Sequence, residues 1–121
     1  MRLLVVEDQD FFRKGLRCLL EEEGFEVADA PSAEAALECV ARFQPDIVLM
    51  DVNLPGMSGI EAMQRVLRLA PQAAVVMLSM FEGEELISLA LDAGATSYVV
   101  KTAPLDEILS TIQAAACSAA P

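Results

Sequence analysis

The apolar residues of this chain fall into two alternating patterns, and that alternation limits the folds open to it. Short runs rich in Val, Ile and Leu occur at "LLVVE" (3–7), "FEVADA" (25–30), "DIVLMD" (46–51), "AAVVMLS" (73–79) and "TSYVVK" (96–101). Between them lie longer stretches with helical spacing. Phe12, Leu16, Leu19 and Leu20 share one face, as do Ala36, Leu37 and Val40. The same holds for Ile60, Met63, Val66 and Leu67, for Leu86, Ala90 and Ala93, and for Leu105, Ile108, Leu109 and Ile112. The spacing predicts five strands alternating with five helices, hence an α/β fold with a parallel sheet covered on both faces. The runs at 3–6, 47–50 and 75–78 are almost uninterrupted apolar, as strands buried on both sides should be. Each gap leaves room for one right-handed crossover helix.

Local signals agree with these elements. Gly24 and Gly94 stand where helices should stop. Ser32 can cap the second helix, and Ser58 with Glu61 has capping-box spacing for the third. Pro104 suits the first turn of the last helix. With 121 residues, the chain has the length of one domain, and its 55% apolar content supplies a core built mostly from aliphatic side chains. The opening "MRLLVVEDQD" turns acidic too early for a signal peptide, and no apolar run approaches the ~18 residues of a membrane span. Three cysteines without a CxxC motif point to a reduced, cytoplasmic setting. The absence of histidine excludes a His-based zinc site and Ser-His or Cys-His catalysis. A net charge of −11 argues against nucleic-acid binding by this domain itself.

The polar residues at the strand ends carry the chemistry. The first strand ends in Glu7 and Asp8, the third in Asp51, the fourth in Ser79 and the fifth in Lys101. Sites in open parallel sheets form outside the carboxyl ends of the strands. These residues therefore converge on one edge. Three carboxylates in one crevice repel each other, and a hard divalent cation such as Mg²⁺ relieves that repulsion. An aspartate beside such an ion can accept a phosphoryl group, with Lys101 adding positive charge and Ser79 a hydrogen bond. A purely structural Lys101–Asp51 ion pair is the plain alternative, but it leaves Glu7, Asp8 and Ser79 unexplained.

The segments "VVEDQDFFRKGLRCLL", "IVLMDVNLPGMSGIEAM", "VVMLSM", "GATSYVVK" and "PLDEIL" resemble, in order and over essentially the whole chain, the receiver domain of bacterial two-component response regulators. The resemblance implies a flavodoxin-like sheet of order 2-1-3-4-5. It implies that Asp51 accepts a phosphoryl group from a sensor histidine kinase. Asp8 and Asp51 match direct Mg²⁺ ligands, Glu7 an acid acting through water, and Asn53 a ligand through its backbone carbonyl. Ser79 matches the switch hydroxyl, Lys101 the lysine that pairs with the phosphate, and Tyr98 the switch aromatic. Phosphorylation would then alter the surface of the fourth helix, fifth strand and fifth helix, and promote homodimerisation.

Departures from the family pattern are informative. Thr102 follows Lys101 where most receivers have proline, and Met80 follows Ser79 where many have Ala or Gly. Met80 is placed to screen an acyl phosphate from water. Both features, and the "FFRKGL" of the first helix, resemble the branch that carries a LuxR-type helix-turn-helix output domain for transcription regulation. The receiver is expected over 1–116, with 117–121 a tail or the start of a linker. Two rival readings are a phosphorylation-independent pseudo-receiver and an aspartate-nucleophile phosphatase of the haloacid dehalogenase type. The first would normally lack some of the acids or the lysine, all present here. The second needs an acid two residues after the nucleophile, where this chain has Asn53.

Overall fold

A computed structural model describes residues 1–119 of the chain. Five strands, β1 (Arg2–Val6), β2 (Glu26–Ala30), β3 (Ile47–Asp51), β4 (Ala74–Ser79) and β5 (Ser97–Val100), alternate with five helices. The helices are α1 (Asp10–Glu22), α2 (Ala33–Phe43), α3 (Gly59–Leu69), α4 (Glu84–Asp92) and α5 (Leu105–Ala119). All strand pairings are parallel, and the sheet order is β2-β1-β3-β4-β5, as the resemblance implies.

Alternation along each strand divides the core in two. Leu4, Val6, Val48, Met50 and Met77 face α2, α3 and α4, where Val40, Met63 and Ala90 are fully buried. Leu3, Val5, Leu49, Val76 and Leu78 face α1 and α5, where Leu16, Leu20, Ile108 and Ile112 pack. Burying both faces of β1, β3 and β4 is what the uninterrupted apolar runs require.

The helix boundaries follow their expected signals. Ser32 Oγ accepts the Ala35 N–H at 3.2 Å, and Ser58 Oγ accepts the Glu61 N–H at 3.1 Å. Gly24 and Gly94 end α1 and α4 with φ of 97° and 122°. Helix α2 ends instead on Gln44, at φ 49°, whose side-chain amide donates back to the Val40 carbonyl at 3.1 Å. Two expectations shift. Pro104 lies just before α5, and its carbonyl accepts the Ile108 N–H as the first bond of that helix. Leu105, expected on the buried face, is 57% exposed because it lies beyond the carboxyl end of β5, with no sheet beneath it. No helix among the described residues is long and apolar enough to cross a membrane. Helix α5 continues through Ala119, so the expected tail is helical at 117–119, while 120 and 121 lie outside the described residues.

Candidate functional site

The carboxyl edge of the sheet gathers the expected polar residues by backbone pairing. The Glu7 N–H donates to the Ala30 carbonyl at 3.1 Å, which extends the β1–β2 ladder past Val6. The Val52 N–H donates to Leu78 at 2.9 Å, and the Lys101 N–H to Ser79 at 2.7 Å. The register puts Glu7 level with Asp51, Ser79 one residue beyond that level and Lys101 two residues beyond it, all at the carboxyl edge. Glu7, Asp51 and Ser79 are buried, whereas Asp8 opens to solvent. Carboxylate oxygens of Glu7, Asp8 and Asp51 lie within 4.8 Å of one another.

Lys101 enters this cluster from β5. Its Nζ lies 2.6 Å from Glu7 Oε1 and 2.9 Å from Asp51 Oδ2, and its side chain is 8% exposed. The Phe12 ring of α1 lies beneath the ammonium, 5.4 Å from centroid to Nζ. Burial by itself would weaken the hold of Lys101 on its proton. The bonds and charges of Glu7 and Asp51 outweigh burial and raise its pKa above the ordinary lysine value. Burial raises the Glu7 pKa, and its contacts with Lys101 and the Gln9 N–H only partly oppose this. Although Glu7 Oε1 touches the ammonium closely, it makes no well-angled hydrogen bond among the described residues. A buried carboxylate oxygen with unused acceptor capacity, beside two further carboxylates, fits a hard cation that prefers oxygen ligands.

Asp51 is held on both oxygens. Oδ2 takes the Lys101 ammonium, and Oδ1 accepts the Asn53 N–H at 3.0 Å. The loop after it is pinned by Gly59, whose N–H donates to the Val52 carbonyl at 2.8 Å. A Cβ at Gly59 would lie 2.7 Å from Val52 Cα and would collide with the Asp51 carbonyl, so only glycine lets α3 start this close to β3. The residue two after Asp51 is an asparagine that serves as a main-chain donor, not the acid that a dehalogenase-type phosphatase needs.

Across the crevice, Ser79 Oγ accepts the Phe81 N–H at 3.1 Å. The Tyr98 hydroxyl donates to the Phe81 carbonyl at 2.8 Å. The hydroxyl and the aromatic singled out in the sequence thus hold the same loop residue. Met80 and Phe81 are exposed at 55% and 63%.

The sequence did not reveal Arg13, Asp29 and Phe12 as neighbours of the site. Arg13 is buried on α1 and bonds to Glu7, Asp10 and Asp29. The run "FFRKGL" contains both Phe12 and Arg13, but nothing in it tells a buried arginine from a solvated one.

An open parallel sheet of order 2-1-3-4-5, with an acid cluster, a hydroxyl and a lysine at its carboxyl edge, defines a signalling receiver domain. The chain belongs to the response regulator receiver domain family, which it matches over residues 3–113. Domains of this family are phosphorylated with Mg²⁺ and interact with histidine kinases and phosphotransfer partners. The chain is 38% identical over 115 residues to the response regulator GacA of Pseudomonas viridiflava, covering 93% of this chain and 54% of that protein. It is 34% identical to the chemotaxis protein CheY of Bacillus subtilis, covering 92% and 93% of the two chains. A solved two-component response regulator of the LuxR family from Aurantimonas sp. SI85-9A1 superposes with a TM-score of 0.91 at 33% identity, over 97% of this chain and 85% of that one. The chain spans about half the length of GacA and of other curated transcription regulators that it matches.

Proposed function

We propose that Asp51 accepts the phosphoryl group and that this modification drives a two-state switch. One observation carries the reading: Lys101 Nζ bridges Glu7 and Asp51 at the carboxyl edge, beside a third acid that opens to solvent. Asp8 and Asp51 would hold Mg²⁺ directly, Glu7 through water, and Asn53 through its backbone carbonyl. When bound there, the ion would supply positive charge for the phosphoryl oxygens.

The residues of the chain do the rest. A carboxylate oxygen of Asp51 attacks phosphorus. The P–N bond of a phosphohistidine donor breaks, an O–P bond forms, and the leaving imidazole nitrogen keeps the electron pair and takes a proton. Lys101 exchanges its contact with the carboxylate for one with the new phosphate. Ser79 uses a lone pair for the Phe81 N–H and retains its own proton for a phosphoryl oxygen. When Ser79 turns to that oxygen it releases Phe81, and with it the anchor of Tyr98. The surface of α4, β5 and α5 then changes, and partners that prefer one surface read the state.

The same groups would assist phosphorylation and dephosphorylation of the domain without making it a turnover enzyme. The phosphodonor is a sensor histidine kinase in the cytoplasm. The receiver spans 1–116, with 117–121 a tail or the start of a linker, and the switch would control a LuxR-type DNA-binding domain, with homodimerisation on phosphorylation as the output. Likeness to the LuxR-family regulator and to GacA supports this reading of the output.

Incubation with Mg²⁺ and acetyl phosphate, followed by intact-mass measurement, tests the assignment. One phosphoryl adduct should appear, and both EDTA and Asp51→Asn should abolish it. An adduct that persists in Asp51→Asn overturns it.

A further inference from the structure

Arg13 is the most deeply buried guanidinium among the described residues, and it reaches the main chain of Glu7 in the acid cluster. Its side chain is 10% exposed. Nη1 donates to the Glu7 carbonyl at 2.9 Å, Nε to Asp29 Oδ2 at 2.8 Å, and Nη2 to Asp10 Oδ1 at 2.6 Å. Asp29, on β2, is fixed in turn by Arg17, whose Nη1 reaches its other oxygen at 2.6 Å. The three faces of one planar fork therefore tie the end of β1, the start of α1 and the middle of the edge strand β2 together.

The main chain at Glu7 is held at both of its polar groups. Its N–H is paired with Ala30 and its carbonyl with Arg13. These two bonds fix the peptide from which the Glu7 side chain departs inward and the Asp8 side chain departs toward solvent. We infer that Arg13 is a positioning residue for the Glu7–Asp8 corner, and that it sets the affinity of the acid cluster for a divalent cation by holding the Glu7 carbonyl. The inference rests on the cation site proposed above.

Charge alone predicts the opposite effect. Arg13 is a cation beside an anionic crevice, so removing it would make the local potential more negative and Mg²⁺ binding tighter. Loss of a group that orients metal ligands instead weakens binding, by about tenfold or more. The sign of the change therefore separates the two. Lysine at this position keeps the charge but is a point donor that cannot span the Glu7 carbonyl, Asp29 and Asp10 together.

The test is Mg²⁺ calorimetry on wild type, Arg13→Met and Arg13→Lys, with circular dichroism to establish folding. Phosphorylation by acetyl phosphate is then followed as a function of Mg²⁺. Both variants should bind Mg²⁺ about tenfold more weakly than wild type. Their half-saturating Mg²⁺ should rise by the same factor, while the rate at saturating Mg²⁺ stays near that of wild type. Unchanged or tighter binding in Arg13→Met overturns the inference, as does full recovery in Arg13→Lys. If both variants unfold, Arg13 is a residue of overall stability and the inference fails. A wild type that binds no Mg²⁺ refutes the cation site itself, a result distinct from an Arg13 variant that binds normally.

Discussion

Ser79 and Tyr98 hold opposite polar groups of one residue. The Phe81 N–H is bonded to Ser79 Oγ, and the Phe81 carbonyl is bonded to the Tyr98 hydroxyl. A displacement of the Ser79 side chain thus reaches Tyr98 through a single residue, with no chain of intermediate packing.

Tyr98→Phe removes one end of that connection. The bond is solvent-accessible, so its loss should cost about 0.5–1 kcal/mol. Amide exchange across 79–84 should accelerate, while exchange in β3 stays slow. Unchanged exchange at Phe81 and its neighbours would show that the hydroxyl does not restrain the loop.

Lys101→Met leaves two buried carboxylates without their cation. Removing one partner of a buried ion pair costs about 3–5 kcal/mol, and here two acids lose the same partner. Urea unfolding should show a loss of that order without Mg²⁺. Added Mg²⁺ should stabilise the variant more than wild type, because the ion replaces the missing charge. Equal stabilisation of the two proteins would refute the competition between lysine and metal for these oxygens.

Glu7 imposes a pH dependence of defined sign. Burial holds its pKa in the folded state above the ordinary 4.5. The folded protein therefore keeps this proton at pH values where the unfolded chain has lost it. The stability so contributed is fully present below pH 4.5 and is lost as the pH rises through the folded value. Comparing wild type with Glu7→Gln, without metal, isolates this group. The stability difference should move in favour of the glutamine variant as the pH is raised from about 4 to about 8. A flat difference curve, or one of opposite slope, contradicts the assignment.

Gly59→Ala places a methyl group against the main chain of Asp51 and Val52, neither of which can move without disturbing β3. Overpacking against backbone should cost about 3 kcal/mol. The effect should extend to phosphorylation, since the loop that carries Asn53 would be displaced. A variant with wild-type Tm would show that α3 can retreat from the strand.

Much of this architecture could be read from the chain because topology does the gathering. Once the apolar runs define parallel strands, Glu7, Asp8, Asp51, Ser79 and Lys101 must share one edge, wherever they fall in the sequence. Arg13 was not legible for a physical reason. A charged residue on an amphipathic helix reads as part of its solvated face, and its burial depends on Asp29, sixteen positions away on another element. Leu105 misled in the opposite sense. Helical spacing places it with Ile108 and Ile112, but periodicity does not say where the sheet beneath the helix ends. The left-handed Gln44 escaped notice because its cap relies on its own side chain and not on glycine.

The sheet order gives Asp51 and Tyr98 different mechanical surroundings. Strand β3 lies between β1 and β4 with all five residues buried; Asp51 pairs with Leu78 of β4 and follows directly on Met50, which is paired on both sides, so it has little room to shift. Tyr98 lies on β5, a four-residue edge strand paired on one side only. A phosphoryl group on Asp51, as proposed, would therefore meet a seat that yields little and a rim that yields. The work of that modification would then be delivered to the rim and not dissipated by bending the sheet.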